Sequence, residues 1–191
     1  MDKPSEVLQT ARLRLRPPAA SDAAAIFAAY AQDPQVTRFL LWNPHRDMAE
    51  TVTFLQGCEA AWREGTRFPW VLELPPARQI IGMIELRLSP QHQVGRAPDD
   101  AAQGSADVGY VIARPWWGQG YATEALRAVV DAAFTLPALR RVWAVVDVEN
   151  LASQRVLEKA GLRRETLLLQ HVVHPNISAA PRDVYRHAIT R

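Results

Sequence analysis

Near the middle of the 191-residue chain, Arg114-Pro115-Trp116-Trp117-Gly118-Gln119-Gly120-Tyr121-Ala122-Thr123 has the residue types of an anion-binding turn. The run Ala106 to Ala113 before it reads as a strand, and Ala122, Ala125, Leu126, Val129, Val130, Ala133 and Phe134 after it recur at helical spacing. Strand, glycine turn and helix, in that order, gather free backbone N–H groups at the positive end of the helix. Gly118 and Gly120 let the main chain come close to a ligand, and a pyrophosphate is the guest this chemistry suits. The spelling fails the dinucleotide fingerprint, because Thr123 stands where a third Gly or Ala is required, and it fails the Walker loop for want of Gly-Lys-Ser/Thr. Alone, W-G-Q-G-Y-A fits either a phosphate site or an ordinary tight turn.

Other reactive side chains are sparse. The single cysteine, Cys58, excludes an intramolecular disulfide and any multi-cysteine metal site; among Gly57, Glu59, Ala60 and Ala61, with no adjacent His, it reads as a buried structural thiol. His171 and His174 are spaced H-x-x-H, yet on a β-run they point to opposite faces, so no metal is expected there. Trp42, in the turn Leu41-Trp42-Asn43-Pro44-His45, either covers the core or walls a pocket.

The elements that must position these residues follow from period and punctuation. Arg12 to Arg16 alternates as a strand, Ser21 is placed to cap a helix through Ile26, Phe27 and Tyr30, and Asp33-Pro34 ends it. Asp47 and Glu50 have capping-box spacing for a second helix, closed by Gly65. Pro69 to Leu74 and Gln79 to Leu88 form a hairpin, and residues 89 to 105 a long loop. Arg141 to Asp147 is a strand apolar on both faces; Asn150 caps a helix that ends at Gly161; Glu165 to Val173 and Asp183 to Thr190 are the last two strands. One domain, 1–191, with a single core accommodates all of this.

Composition narrows the class. Twenty-two basic and 20 acidic residues leave +2, and the basic residues, arginine at every position but Lys3 and Lys159, are scattered rather than blocked, which argues against nucleic acid as partner. No apolar run approaches the roughly 18 residues of a membrane helix, and the N-terminal Met-Asp-Lys-Pro-Ser-Glu is no secretory signal, so a cytoplasmic protein without a membrane partner is expected.

Trp117-Gly118-Gln119-Gly120-Tyr121-Ala122-Thr123-Glu124-Ala125-Leu126, followed by the strand Val142 to Asp147 and then by Glu149-Asn150-Leu151-Ala152-Ser153-Gln154-Arg155-Val156-Leu157-Glu158-Lys159-Ala160-Gly161-Leu162, closely resembles the GNAT superfamily of acetyl-CoA-dependent N-acetyltransferases. The match is nearest to its ribosomal-protein N-terminal alanine and serine acetyltransferase branch, and extends to the opening T-x-R-L-x-L-R at Thr10 to Arg16. Trp117 departs from the usual Arg or Gln, and Gly161-Leu162 from the usual Gly-Phe; backbone N–H groups hold the pyrophosphate, so the first departure is expected to spare cofactor binding.

The resemblance implies an α/β (α+β) fold: a mixed, mostly antiparallel sheet of about six or seven strands with helices on both faces. It implies acetyl-CoA as co-substrate, its arm along Ile112 and Ala113, its pyrophosphate on Trp117, Gly118, Gln119, Gly120, Tyr121, Ala122 and Thr123, and a further contact from Asn150, which is equally a helix N-cap. Ser153 corresponds to the residue that protonates the departing thiolate, although an exposed first-turn serine needs no chemistry to explain it. Asp107, acting through water, is the first candidate base, a solvated strand-end carboxylate being the alternative; Glu85 and Glu124 are rivals, and Glu124 is also a dipole-favoured acid. Trp42, Glu85 and His171, with His174, Asn176, Arg182 and Asp183, would shape the acceptor end, and Arg114 and Arg155 would lie near the anionic cofactor.

The expected activity is acetyl transfer to a primary amine, the N-terminal α-amino group of a protein or peptide, by a monomer or homodimer. Its alternatives are a small-molecule acetyltransferase for an antibiotic, polyamine or amino acid, and a CoA-binding regulatory module with little catalysis.

Overall fold

A computed structural model describes residues 2–88 and 104–191. Among the described residues eight strands form one sheet in the order β1-β2-β3-β4-β5-β6-β8-β7: β1 (Leu8–Gln9), β2 (Arg14–Arg16), β3 (Arg67–Leu74), β4 (Gln79–Leu88), β5 (Ser105–Ile112), β6 (Arg141–Asp147), β7 (Arg163–Val172) and β8 (Arg182–Thr190). Every neighbouring pair is antiparallel except β5 and β6. The helices are α1 (Ala23–Ile26), α2 (Pro34–Thr37), α3 (Met48–Glu64), α4 (Tyr121–Phe134) and α5 (Leu151–Lys159).

The count of eight exceeds the six or seven expected because a short strand, Leu8–Gln9, precedes the run at 12–16, of which only Arg14–Arg16 is strand. Thr10 closes a tight hairpin, with Leu13 N–H donating to its Oγ1 at 2.9 Å, so the chain reverses and β1 pairs with β2. The first helix also differs. Ser21 does not cap it; the Asp22 carboxylate accepts Ala19 N–H at 2.8 Å, and the segment passes from a 3₁₀ turn through α1 into a wide turn at Phe27–Ala31. Other caps are as read: Asp47 accepts Glu50 N–H, and Gly65 and Gly161 take positive φ after α3 and α5.

Alternation along the central strands gives the sheet two faces. Leu86, Val108, Ile112, Val142 and Ala144 pack with Leu126 and Val129 of α4 and Leu157 of α5; Val71, Ile80 and Met83 pack on the other face with Ile26 of α1 and Leu55 of α3. Cys58 is buried and its thiol is pushed up to about 12 by burial, which leaves it inert. Most of the 89 to 105 loop lies outside the described residues; Ser105 opens β5. Among the described residues no helix is long and apolar enough to cross a membrane.

Candidate active site

The parallel ladder between β5 and β6 covers only Ser105 to Asp107 and Arg141 to Trp143. Beyond it the strands part. Gly109, Tyr110 and Val111, in the middle of a central strand, are therefore only half-buried, as is Val145 across the gap on β6. The outer end of β5 is more occupied than expected: the Ile112 carbonyl accepts the Trp117 indole N–H at 2.7 Å, and Ala113 N–H donates to Ile81 on β4. Tyr110 and Val111, rather than Ile112 and Ala113, border the gap.

On the α4 side, Gly118 and Gly120 adopt φ of 74° and 84°, conformations that side chains resist. Gly120 is the N-cap of α4 and supplies no side-chain acceptor, so the first-turn N–H groups are left for an anion. A Cβ on Gly118 would meet nothing within 4 Å, and one on Gly120 only the Arg12 guanidinium at 3.5 Å. The turn borders a cavity of about 580 Å³ lined by the cations of Arg12, Arg127 and Lys159 and by the carboxylates of Glu124 and Asp131. The free N–H groups of the turn, with this small excess of positive charge, suit an anionic group.

Arg12 anchors this turn from the β1–β2 hairpin. Its Nη1 donates to the Gln119 carbonyl at 3.0 Å, its guanidinium lies 4.3 Å from the Tyr121 ring centre, and its Nε donates to Glu124 at 2.7 Å. The same carboxylate accepts Thr10 Oγ1–H and Arg12 N–H. Burial would raise the Glu124 pKa, but these hydrogen bonds outweigh it and hold it below the usual range. Glu124 is thus a poor base. Arg114 pairs with Asp33 at 3.2 Å, and Arg155 is exposed on α5.

At the α5 end, Asn150 Oδ1 caps the helix by accepting Ser153 N–H at 3.2 Å, which leaves its amide N–H groups and a second lone pair on Oδ1 for a cofactor. Ser153 Oγ lies 2.7 Å from the Tyr110 hydroxyl. Thus β5 and α5 meet, through two hydroxyls, beside the gap.

The opposite face carries two ionic clusters. Across β3, β4 and β5, Arg67 pairs with Glu85 at 3.1 Å, Glu85 with Arg87 at 2.9 Å, and Arg87 donates through Nε to Asp107 Oδ2 at 2.6 Å. Asp107 is buried where β5 and β6 part, and its Oδ1 has no hydrogen-bond partner. Glu85 is tied into this ladder rather than open to a substrate. At the end of β6, buried Asp147 accepts Arg182 Nε–H at 2.6 Å and faces the ring of buried His174 at 3.6 Å. Burial opposes ionisation of Asp147, yet hydrogen bonds from Arg182 and from Glu149 N–H hold its pKa low; burial also holds His174 below its usual value. Asn176 donates to the carbonyls of Thr37 and Trp42, clasping the 173–181 loop to the loop before α3. Trp42 packs on the α1–α3 core and against His45. His174 lies past the end of β7, and His171 stands on that edge strand with β8 between it and β6, away from the gap. Among the described residues no group of three or more potential ligands gathers for a metal.

Sequence reading missed Tyr110, Arg87, Arg12 and Asp147. Only Asp147 had a local signal, an acid closing the apolar run Val142 to Val146 just before a helix cap.

The family model described as "Acetyltransferase (GNAT) domain" matches residues 12–163. An uncharacterized N-acetyltransferase, YoaA, of Bacillus subtilis (strain 168) is 30% identical over 186 residues, covering 97% of each chain. Mycobacterium smegmatis RimJ, solved with CoA-disulfide, superposes with a TM-score of 0.77 at 29% identity over 93% of this chain and 81% of that one. Spermidine N-acetyltransferase from Vibrio cholerae, solved with CoA and spermine, shares the fold with a TM-score of 0.73 at 21% identity over 95% and 96%. With its parted β5 and β6 and the glycine turn at the head of α4, the chain belongs to the GNAT acetyltransferase family and is an acetyl-CoA-dependent N-acetyltransferase.

Proposed function

We propose that the chain acetylates the α-amino group at the N-terminus of a protein or peptide. The observation that supports a polypeptide acceptor is the likeness to RimJ over most of both chains. Acetyl-CoA would lay its pyrophosphate on the turn from Trp117 to Thr123, with Arg12, Arg127 and Lys159 supplying countercharge and the Asn150 amide a further contact.

Ser153 gives a proton to the departing sulfur. Asp107, through Oδ1 and a water, receives the one the acceptor amine must lose, since a free primary amine is mostly protonated near neutrality. Trp42 and His174 shape the acceptor end.

Spermidine acetylation by a protein of this fold makes polyamines the second reading. Free-CoA release measured across Ala- and Ser-starting peptides, spermidine and an aminoglycoside separates them. Faster turnover of the peptides is expected; turnover of polyamine alone would overturn the α-amine assignment, and acetyl-CoA binding without turnover of any amine would favour a regulatory module.

A further inference from the structure

We propose that Tyr110, on the central strand, is the positioning residue that aims the Ser153 hydroxyl at the departing sulfur. The inference rests on the reading of Ser153 as proton donor. Tyr110 OH lies 2.7 Å from Ser153 Oγ, much nearer than its rival acceptor, the Ser153 carbonyl at 3.3 Å. Two other bonds fix the serine from below: Ser153 N–H donates to Asn150 Oδ1, and Asn150 N–H donates to the Asp147 carbonyl at 2.9 Å. The hydroxyl rotor is the one freedom left to this residue.

A phenol has a single proton to donate. Burial raises the Tyr110 pKa, only partly opposed by the bond to Ser153, so the phenol keeps that proton at neutral pH. When it donates to Ser153 Oγ, the serine's own O–H is displaced from the tyrosine and turns toward the gap between β5 and β6. The step then balances. A bond forms between the amine nitrogen and the acetyl carbon, the carbon–sulfur bond breaks with its electron pair on sulfur, and sulfur takes the Ser153 proton. Tyr110 stabilises the charge that develops on Oγ without giving up its own proton; the nitrogen's first proton has gone to Asp107 before attack, and Oγ is restored by the second, which the nitrogen releases once bonded to the acetyl carbon. The helix thus carries the acid while the strand orients it, which explains why a tyrosine stands among apolar Val108 and Ile112 on the same face of β5.

Tyr110→Phe removes one oxygen and keeps the ring. It should lower kcat about tenfold, the rate equivalent of one hydrogen bond, with KM for acetyl-CoA within about twofold and the melting temperature nearly unchanged. Ser153→Ala should lower kcat further, and the double variant should be no slower than Ser153→Ala. With S-acetyl-thionitrobenzoate, whose thiol is acidic enough to leave without a proton, Tyr110→Phe should match wild type. Wild-type kcat in Tyr110→Phe, or an equal loss with both thioesters, overturns the positioning role. Wild-type kcat in Ser153→Ala defeats instead the reading beneath it.

Discussion

Residue by residue, carboxylates of the same kind are fitted for different work by their partners. Glu124 accepts hydrogen bonds from Thr10 and from the main chain and guanidinium of Arg12, and has nothing left to offer an amine. Asp107 is half spent: Oδ2 serves Arg87 and Oδ1 is unclaimed. Asp107→Asn should therefore cut kcat/KM for the amine by about a hundredfold, the scale of a general base, while leaving acetyl-CoA affinity intact. Glu124→Gln should lower the melting temperature and cofactor affinity with little change in the pH profile. Steady-state kinetics in both substrates would check the pair, and the reverse pattern would make Glu124 the base. These distinctions were illegible in the sequence, because Arg87 and Asp107 are 20 residues apart, and Thr10 and Glu124 are 114 apart; only strand register and helix docking bring them together.

At the scale of elements, what was local was legible. Asp47 with Gly65, and Asn150 with Gly161, mark their helices because each acts on backbone groups within four residues. Glycine turn and α4 were equally readable. The β1–β2 hairpin was not: Thr10 reverses the chain through its side chain, in a turn that runs into the start of the alternating Arg12 to Arg16. Its misreading concealed Arg12, which reaches the glycine turn from that hairpin. Tyr110 was hidden for a related reason. Period two assigns it to a face of β5, but only the short parallel pairing with β6 shows that this face meets α5 at a gap. His171 was misplaced because strand order cannot be read from one chain, and β8 inserts between β6 and β7.

Across the whole molecule, His45, His174 and His187 all bind protons less readily than free imidazole, burial being the leading cause. With a folded pKa below the unfolded one, each contributes stability that is complete above about pH 6.5 and is lost as pH falls through the folded value. Glu124, Asp147 and Glu165, also depressed, lose theirs only below about pH 4. The melting temperature should thus fall between pH 7 and pH 5, and His174→Gln should shrink that fall; a flat profile over this interval would count against buried neutral imidazoles. The same fold presents the gap and the glycine turn, which acetyl-CoA would join under the proposed function. Titration calorimetry of acetyl-CoA into wild type and Gly120→Glu tests this most directly, with Gly120→Ala as control for backbone strain at φ 84°. Saturable binding by wild type, weaker binding by Gly120→Ala and none by a folded Gly120→Glu are expected; equal affinity in wild type and Gly120→Glu would contradict a pyrophosphate site at the head of α4.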